Sequence, residues 1–258
     1  MDACGARMIQ QWGAGLEGVD LDAAKTRGVI VANLPATGGN ADSVAEHAVL
    51  LILSLLRSLP RAQANVRAGL LGAPAGTMLA GRTVCLYGLG AIALPIANRL
   101  RPFGVRIIGI TRDPSARKVA DFNLDRCFST EEKEPCLRQT NVLVLCVRLS
   151  DETRECIGER ELAWLPKGSC LVNVARGGLV NRAALLASLK SGHLGGAGLD
   201  VFWEEPIAVG DPILGYDNVI ATPHIAGITS QSLADIARGV AGNIERFEAG
   251  LPVLNRAI

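Results

Sequence analysis

From residue 83 to residue 221 the sequence alternates short apolar runs with helical stretches. Most of these runs are apolar at successive positions, which is typical of parallel strands that helices cover on both faces. The pattern predicts a doubly wound α/β sheet. Its predicted strands occupy residues 83–87, 105–110, 142–146, 170–174, 198–201 and 218–221.

Two predicted helices near the carboxyl end of the chain have readable ends. Asn181 fits an N-cap, because its side chain can accept a hydrogen bond from the first helical turn, and Gly192 fits the left-handed residue after that helix. Thr229 occupies an N-cap position before a long final helix.

The first 70 residues repeat the α/β pattern on a smaller scale. Residues 8–12 and 29–33 are strand-like, and a long helix is expected over residues 43–57. Ser43 and Glu46 fit the S-x-x-E capping box at its start. Glycine and proline accumulate over residues 68–81, which predicts a linker and a domain boundary there.

Composition narrows the classes of partner. Hydrophobic residues make up 49% of the chain, which indicates a globular protein. The net charge of +1 offers no basic surplus for a nucleic acid, and the apolar stretch 48–56 is shorter than the roughly 20 residues of a membrane span. We therefore expect neither partner. The first residues resemble no signal or transit peptide, so we expect a cytoplasmic protein.

The cysteines indicate reduced thiols. The sequence has 7 of them and no C-x-x-C pair, and Cys85, Cys146 and Cys170 lie in apolar runs. We expect mostly core thiols and no metal site.

The first strand of the larger pattern leads into a glycine-rich turn and then a helix. Gly88 and Gly90, followed by Ala91, Ile92 and Ala93, give the G-x-G-x-x-A spacing of a dinucleotide-binding loop. Gly88 would permit the tight turn, and Gly90 would let the backbone approach a pyrophosphate at the helix N-terminus. The alternative is an ordinary strand-to-helix turn without a ligand.

The end of the next strand bears on the choice between NAD and NADP. About 20 residues beyond the loop, a carboxylate would bind the ribose 2′-hydroxyl of NAD. Thr111 and Arg112 stand there instead, which favours the 2′-phosphate of NADP. In the alternative, Asp113 serves NAD and Arg112 is solvated surface.

The search for a proton-transfer residue is short, because the chain has 3 histidines. His47 lies in the apolar helix and is most simply a packing or helix-end residue, whereas His193 is expected to be exposed in a glycine-rich turn. His224 follows a predicted strand, at the end where open α/β sheets bind ligands. Arg176 and Glu205 follow two other strands, so all three side chains are expected at one edge.

Stretches spread over most of the chain resemble the D-isomer-specific 2-hydroxyacid dehydrogenase family, which includes D-3-phosphoglycerate dehydrogenases and glyoxylate or hydroxypyruvate reductases. The matching stretches are GAGLEGVDLDAA, GGNADSVAEHAVLLIL, GLGAIALPIANRLRPFG, LVNVARGGLVN, GGAGLDVFWEEP and TPHIAG. The resemblance implies a Rossmann cofactor domain over residues 70–225. It also implies a smaller flavodoxin-like substrate domain, incomplete at its start, from residues 1–69 and 226–258.

The resemblance also implies the catalytic roles. His224 would protonate the ketone oxygen as hydride arrives, and Glu205 would hydrogen-bond the far nitrogen of the imidazole. Arg176 would bind the carboxylate of a small 2-keto or 2-hydroxy acid.

Binding roles follow from the same resemblance. Asp200 would orient the nicotinamide carboxamide. Ala14 and Gly15 would offer backbone N–H groups to the substrate carboxylate, and a loop over residues 39–43 would line the cleft. Family resemblance further suggests a homodimer that pairs through the helix 43–57.

The chain differs from the family pattern in two respects. The Thr111–Arg112 pair resembles the NADPH-linked reductases more than the NAD-linked members. The family has further strand–helix units before the segment matching RMIQQWGAG, where this sequence has residues 1–6.

Taken together, the motifs and the resemblance first predict an NAD(P)-linked reductase of 2-keto acids. A weak or inactive nucleotide-binding isoform, or an interaction protein like the C-terminal-binding-protein corepressors, is the alternative.

Overall fold

The computed structural model describes residues 5–35 and 39–258, which form parts of two compact units. The smaller unit comprises Met1–Ser43 and Gly227–Ile258, and the larger unit comprises Val44–Ala226. The division after residue 226 is close to the predicted one. The other division falls after residue 43 rather than residue 69, because the apolar face of the long helix packs on the sheet of the larger unit.

The larger unit is built on a seven-stranded parallel sheet with the strand order β5-β4-β3-β6-β7-β8-β9. Its strands are β3 (Thr83–Tyr87), β4 (Arg106–Ile110), β5 (Arg126–Phe128), β6 (Val142–Leu145), β7 (Ser169–Asn173), β8 (Leu194–Leu199) and β9 (Val219–Ala221). The predicted doubly wound sheet is confirmed. The short edge strand β5 was not predicted, since a three-residue strand carries little periodic signal.

Strand order reverses at β3, whose neighbours are β4 on one side and β6 on the other. Because all the strands are parallel, their carboxyl ends share one edge of the sheet. In open α/β sheets a ligand binds at this edge, in the crevice where the order reverses.

Successive strand residues pack into separate hydrophobic clusters. Val84 and Leu86 join the cluster that includes the long helix, whereas Cys85 and Tyr87 join the other cluster. This alternation buries both faces of the sheet, which explains the continuous apolar runs in the sequence. The helices of this unit, apart from the long α2, are α3 (Leu59–Arg67), α4 (Ala93–Leu100), α5 (Ala116–Asp121), α6 (Lys133–Leu137), α7 (Glu159–Trp164) and α8 (Arg182–Lys190).

The long helix α2 (Gly39–Leu56) begins four residues before the predicted start. Residues 39–43 therefore form its first turn and not a loop, and Ser43 is not an N-cap. Ala41 and Ser43 are 3% and 6% exposed, so tertiary packing outweighs the weak helix preference of this polar segment. Glu46 pairs instead with Arg99 at 3.2 Å.

The smaller unit contains the parallel pair β1 (Met8–Gln10) and β2 (Ile30–Ala32), the helix α1 (Leu21–Thr26) and the final helix α9 (Ser230–Glu248). Ala24, Val29 and Val31 form its small core. The predicted N-cap at Thr229 is confirmed, because its side chain accepts a hydrogen bond from the backbone of Ser232.

The N-cap at Asn181 is also confirmed by a hydrogen bond from Ala184 N, and Gly192 has a φ of 70° just after α8. Within the described ranges no single helix is long and apolar enough to cross a membrane. Residues 40–56 and α3, bent by 58°, reach that length and composition only together.

Candidate functional site

The turn after β3 contains two glycines with different structural requirements. Gly88 has a φ of 96°, and a Cβ atom there would lie 2.6 Å from the backbone of Val147, so the fold requires glycine. Gly90 lacks a positive φ, and nothing lies within 4 Å of the place its Cβ would take. The fold does not need glycine at position 90. A phosphate that approaches the backbone closely would need it.

The start of α4 provides further room for an anion. Ile92 is the N-cap residue and makes no side-chain capping bond, and both Gly90 and Ala91 are exposed. Ala93 is fully buried, as expected where a helix packs closely on a strand. The free N–H groups and the positive end of the helix dipole therefore lie beside the glycine turn.

An exposed ion pair joins the loops that follow the two strands flanking β3. Arg112 follows β4, Glu152 follows β6, and Arg112 Nη1 lies 3.6 Å from Glu152 Oε2. The side chains are 84% and 77% exposed, so water and salt screen the pair. The backbone of Thr111 is fixed by donation to the carbonyl of Phe128 at 3.0 Å.

The loop after β7 presents Arg176 and is shaped by Asn173, the buried last residue of that strand. The Asn173 amide donates to the Arg176 carbonyl at 2.8 Å, and its oxygen accepts from Ala175 N at 3.1 Å. A Cβ atom on Gly177 would lie 2.0 Å from the carbonyl carbon of Phe202. The loops after β7 and β8 are therefore in direct contact.

Asp200 follows β8 directly and holds the turn after β9. Its side chain is 1% exposed, and its carboxylate accepts from Thr222 Oγ1 at 2.6 Å and from the backbone N–H groups of Ile225 and Ala226 at 2.9 Å each. The carbonyl of Asp200 accepts from His224 N at 2.8 Å. The expected contact of Asp200 with a nicotinamide carboxamide stays a prediction.

His224 and Glu205 form a carboxylate–imidazole pair. His224 Nδ1 lies 2.6 Å from Glu205 Oε2, and Glu205 Oε1 accepts from Phe202 N at 2.9 Å. A carboxylate only accepts, so Nδ1 carries the proton. The His224 side chain is 46% exposed, and Nε2 makes no hydrogen bond within the described part of the chain. This nitrogen can therefore exchange a proton with a ligand.

Two predicted substrate-binding residues lie in the smaller unit. Ala14 and Gly15 follow β1, and the Ala14 carbonyl accepts from the side chain of Asn33 at 2.8 Å. Among the described residues, neither Ala14 N nor Gly15 N donates a hydrogen bond. Both groups are thus free for an anionic ligand, and their role stays a prediction.

The other histidines and the cysteines lie outside the reacting pair. His193, which was expected to be exposed, is half-buried, and its Nε2 lies 3.0 Å from the Leu162 carbonyl. Cys85, Cys136, Cys146 and Cys170 are buried, whereas Cys4 lies outside the described residues. Burial raises the pKa of Cys146 to about 12 and that of Cys170 to about 11, so neither thiol is a ready nucleophile.

Some side chains that shape the site were not predicted. Asn173 could have been noticed as a polar residue ending an apolar run, because a buried polar group needs partners. The contact between Thr222 and His47 has no such signal, since the bond between Thr222 Oγ1 and His47 Nε2, 2.9 Å long, joins residues far apart in sequence.

The family profile described as "D-isomer specific 2-hydroxyacid dehydrogenase, NAD binding domain" matches residues 49–226. The chain belongs to the D-isomer-specific 2-hydroxyacid dehydrogenase family. It is 34% identical over 254 residues to a D-3-phosphoglycerate dehydrogenase of Bacillus subtilis, covering 96% of this chain and 46% of the relative. The chain thus spans about half the length of that relative.

This chain matches a larger share of two other relatives. The (S)-sulfolactate dehydrogenase of Chromohalobacter salexigens is 38% identical over 242 residues, covering 93% of this chain and 77% of the relative. The NADPH-dependent glyoxylate/hydroxypyruvate reductase of Sinorhizobium meliloti, solved with NADP and malonate, superposes with a TM-score of 0.85 at 31% identity. That structural match covers 97% of this chain and 77% of the reductase.

The different roles of Gly88 and Gly90 lead to a test of the dinucleotide site. Gly90→Ala should leave the melting temperature unchanged and weaken the binding of NADPH and NADH by about tenfold or more, since a methyl group would displace the phosphate. Gly215→Ala is the matched control, because its Cβ also meets nothing within 4 Å. Fluorescence titration measures the affinity. Parental affinity in Gly90→Ala would contradict the assignment.

Proposed function

We propose that the chain interconverts a small 2-keto acid and its D-2-hydroxy acid with a nicotinamide dinucleotide. The observation that carries the proposal is the His224–Glu205 pair, 2.6 Å apart, at the edge of the sheet where Arg176 and the glycine turn also lie. An imidazole whose Nδ1 is held by a carboxylate and whose Nε2 is free is suited to proton transfer.

The residues of this site fit a dinucleotide, since Gly90 leaves its backbone open and the start of α4 is uncapped. When bound, the nicotinamide supplies or accepts the hydride. His224 Nε2 gives its proton to the substrate ketone oxygen in reduction and takes it back in oxidation. Glu205 stabilises the imidazolium through the 2.6 Å hydrogen bond.

We assign substrate recognition in the larger unit to Arg176, whereas a role for the backbone of Ala14 and Gly15 is implied by the family resemblance alone. The guanidinium is planar and can bind a carboxylate through two hydrogen bonds, which a lysine cannot do. One of its nitrogens donates to the Ala175 carbonyl at 2.7 Å, which limits the side-chain orientation. A guanidinium of fixed orientation holds the substrate carboxylate, and with it the adjacent keto group, in one position. Orientation of the keto group then contributes to the rate.

The catalytic assignment predicts separate effects on turnover and on cofactor binding. His224→Gln should lower kcat by roughly two to four orders of magnitude and leave the affinity for NADPH nearly unchanged. Glu205→Gln should lower kcat less, because the amide keeps a hydrogen bond but loses the charge. Oxidation of NADPH and NADH is followed with glyoxylate, hydroxypyruvate, pyruvate and 3-phosphohydroxypyruvate.

His193→Gln is the control for this experiment, since His193 bonds to the Leu162 carbonyl elsewhere in the unit. Parental turnover in His224→Gln would show that another group transfers the proton. Tight binding of nucleotide by the parent without turnover of any 2-keto acid would favour the interaction-protein alternative.

We further propose that NADPH is preferred to NADH. Thr111 and Arg112 stand where an NAD-binding carboxylate would be expected, and a guanidinium can pair with a 2′-phosphate. Glu152 approaches the same guanidinium and opposes a second negative charge there. Asp113 remains the alternative partner for the ribose of NAD.

The opposite charges of Arg112 and Glu152 predict opposite effects on cofactor preference. Arg112→Ala should remove most of the difference between NADPH and NADH, about tenfold or more, whereas Glu152→Gln should increase it. Each dissociation constant is measured at two salt concentrations, because exposed charges are screened. Equal affinities of the parent for the two cofactors would refute the preference.

We also propose that two copies of the chain associate through α3 and the segment that follows it. The predicted surface on the long helix is largely used within its own unit, where Leu51 and Ile52 are buried. By contrast, α3 has no buried residue, and Val66, Leu71 and Met78 are 77%, 99% and 77% exposed. Large apolar side chains exposed this close together in sequence are expected at an interface rather than on a free surface.

Acidic substitutions in this segment should therefore dissociate the dimer. Val66→Glu with Leu71→Glu should reduce the mass measured by light scattering from that of a dimer to that of a monomer, because a buried unpaired carboxylate is costly. Val209→Glu is the control, since Val209 is fully exposed outside this segment. A parent that is monomeric at all concentrations would exclude the interface.

A further inference from the structure

A chain of hydrogen bonds leads from the long helix to the turn that carries His224. His47 Nε2 lies 2.9 Å from Thr222 Oγ1, and Thr222 Oγ1 lies 2.6 Å from Asp200 Oδ1. The His47 side chain is 11% exposed and that of Asp200 is 1% exposed. This chain of hydrogen bonds is therefore largely shielded from water. Hydrogen bonds are stronger in such an interior than in water.

The chemistry of the three groups fixes the direction of these bonds. The Asp200 carboxylate only accepts, so the single proton of the Thr222 hydroxyl points to it. The hydroxyl then has only lone pairs to offer to His47, and His47 must donate from Nε2. A proton on Nδ1 alone would leave Nε2 as an acceptor, and the Thr222 proton would be shared between His47 and Asp200.

At Asp200, the last group in this chain of hydrogen bonds, the contacts hold the strained backbone of His224. His224 has a φ of 54°, in the left-handed region that non-glycine residues seldom adopt. The N–H groups of His224, Ile225 and Ala226 all donate to Asp200, to its carbonyl or its carboxylate. The left-handed turn persists because these contacts hold it.

We propose that His47 is a positioning residue for His224 and acts through Thr222 and Asp200. His47 does not touch the reacting atoms. The Nε2–H group of His47 keeps the Thr222 proton directed at Asp200. This hydrogen bond keeps the Asp200 carboxylate in place. The carboxylate in turn holds the turn that orients the imidazole of His224. The kinetic part of this proposal rests on the proposed function, whereas the geometric part does not.

Charged groups around His47 are consistent with this role. Asp200 Oδ1 lies 3.5 Å from His47 Nε2, which is within ion-pair distance. The neighbouring Glu46 points away to Arg99, at 3.2 Å. The imidazole thus serves Thr222 and Asp200 rather than a surface carboxylate.

Variants that keep or remove one donor test the proposal. His47→Phe removes the N–H and keeps a ring, whereas His47→Gln places an amide N–H at a similar reach. Thr222→Val removes the hydroxyl at nearly constant shape, and Thr222→Ser restores it. We expect kcat to fall roughly ten- to a hundredfold in His47→Phe and Thr222→Val, the scale for a misplaced catalytic group. The Gln and Ser variants should recover most of this loss.

Kinetic coupling separates positioning from general loss of structure. The double variant of His47→Phe and Thr222→Val should be no slower than either single variant, because both act in one chain of bonds. The dissociation constant for NADPH should change less than kcat. His193→Phe, which removes a ring outside the network, should leave kcat unchanged. A His47→Gln variant as slow as His47→Phe, or additive effects of the two changes, would overturn the proposal.

Ring-nitrogen NMR tests the same geometry without turnover, and the spectrum contains only 3 histidines. In the parent, the proton of neutral His47 is expected on Nε2 and that of neutral His224 on Nδ1. In His47→Phe and Thr222→Val the His224 signals should shift. His47 with its proton on Nδ1 alone, or His224 signals that both variants leave unchanged, would refute the positioning role even if no 2-keto acid were turned over.

Discussion

The carboxylate of Asp200 is 1% exposed, and the organisation of the site depends on how that buried charge is satisfied. An ionised carboxylate without partners in an apolar interior would cost far more free energy than the stability of a domain allows. Thr222, Ile225 and Ala226 provide the required donors, so the turn after β9 must wrap around the carboxylate. His224 lies within this turn. Its position is thus a consequence of satisfying a charge on the neighbouring strand.

Hydrogen bonds of buried polar groups also link the loops that follow the three strands β7, β8 and β9. The backbone N–H of Asp200 donates to the carbonyl of Asn173 at 3.0 Å, and the Asn173 side chain shapes the loop of Arg176. Polar groups that support the site, such as Asp200 and Asn173, are buried and hydrogen-bonded. His224 and Glu205 are 46% and 36% exposed, as a ligand-contacting pair must be. This separation lets a rigid set of buried bonds orient side chains that remain open to a substrate.

Features determined by local chemistry were predictable from the sequence. The strand Thr83–Tyr87 and the N-caps at Asn181 and Thr229 follow from short-range patterns, and His224, Arg176 and Glu205 could be found because each follows a strand. Ser43 shows the limit of local patterns, since its S-x-x-E sequence fits a cap but the packing of Ala41 extends the helix beyond it. The bond between His47 and Thr222 was not predictable, because it depends on how helix α2 is placed on the sheet.

The number of acceptor positions on Asp200 limits what a bound dinucleotide can do there. An ionised carboxylate offers about four such positions, and Thr222 and Ile225 use both of those on Oδ1 while Ala226 uses one on Oδ2. A nicotinamide carboxamide would have only the remaining position on Oδ2, on a side chain that barely reaches the surface. Donation at that position would bring the cofactor into contact with the group that holds His224. Seating of the nicotinamide and placement of the proton-transfer imidazole would then depend on one carboxylate.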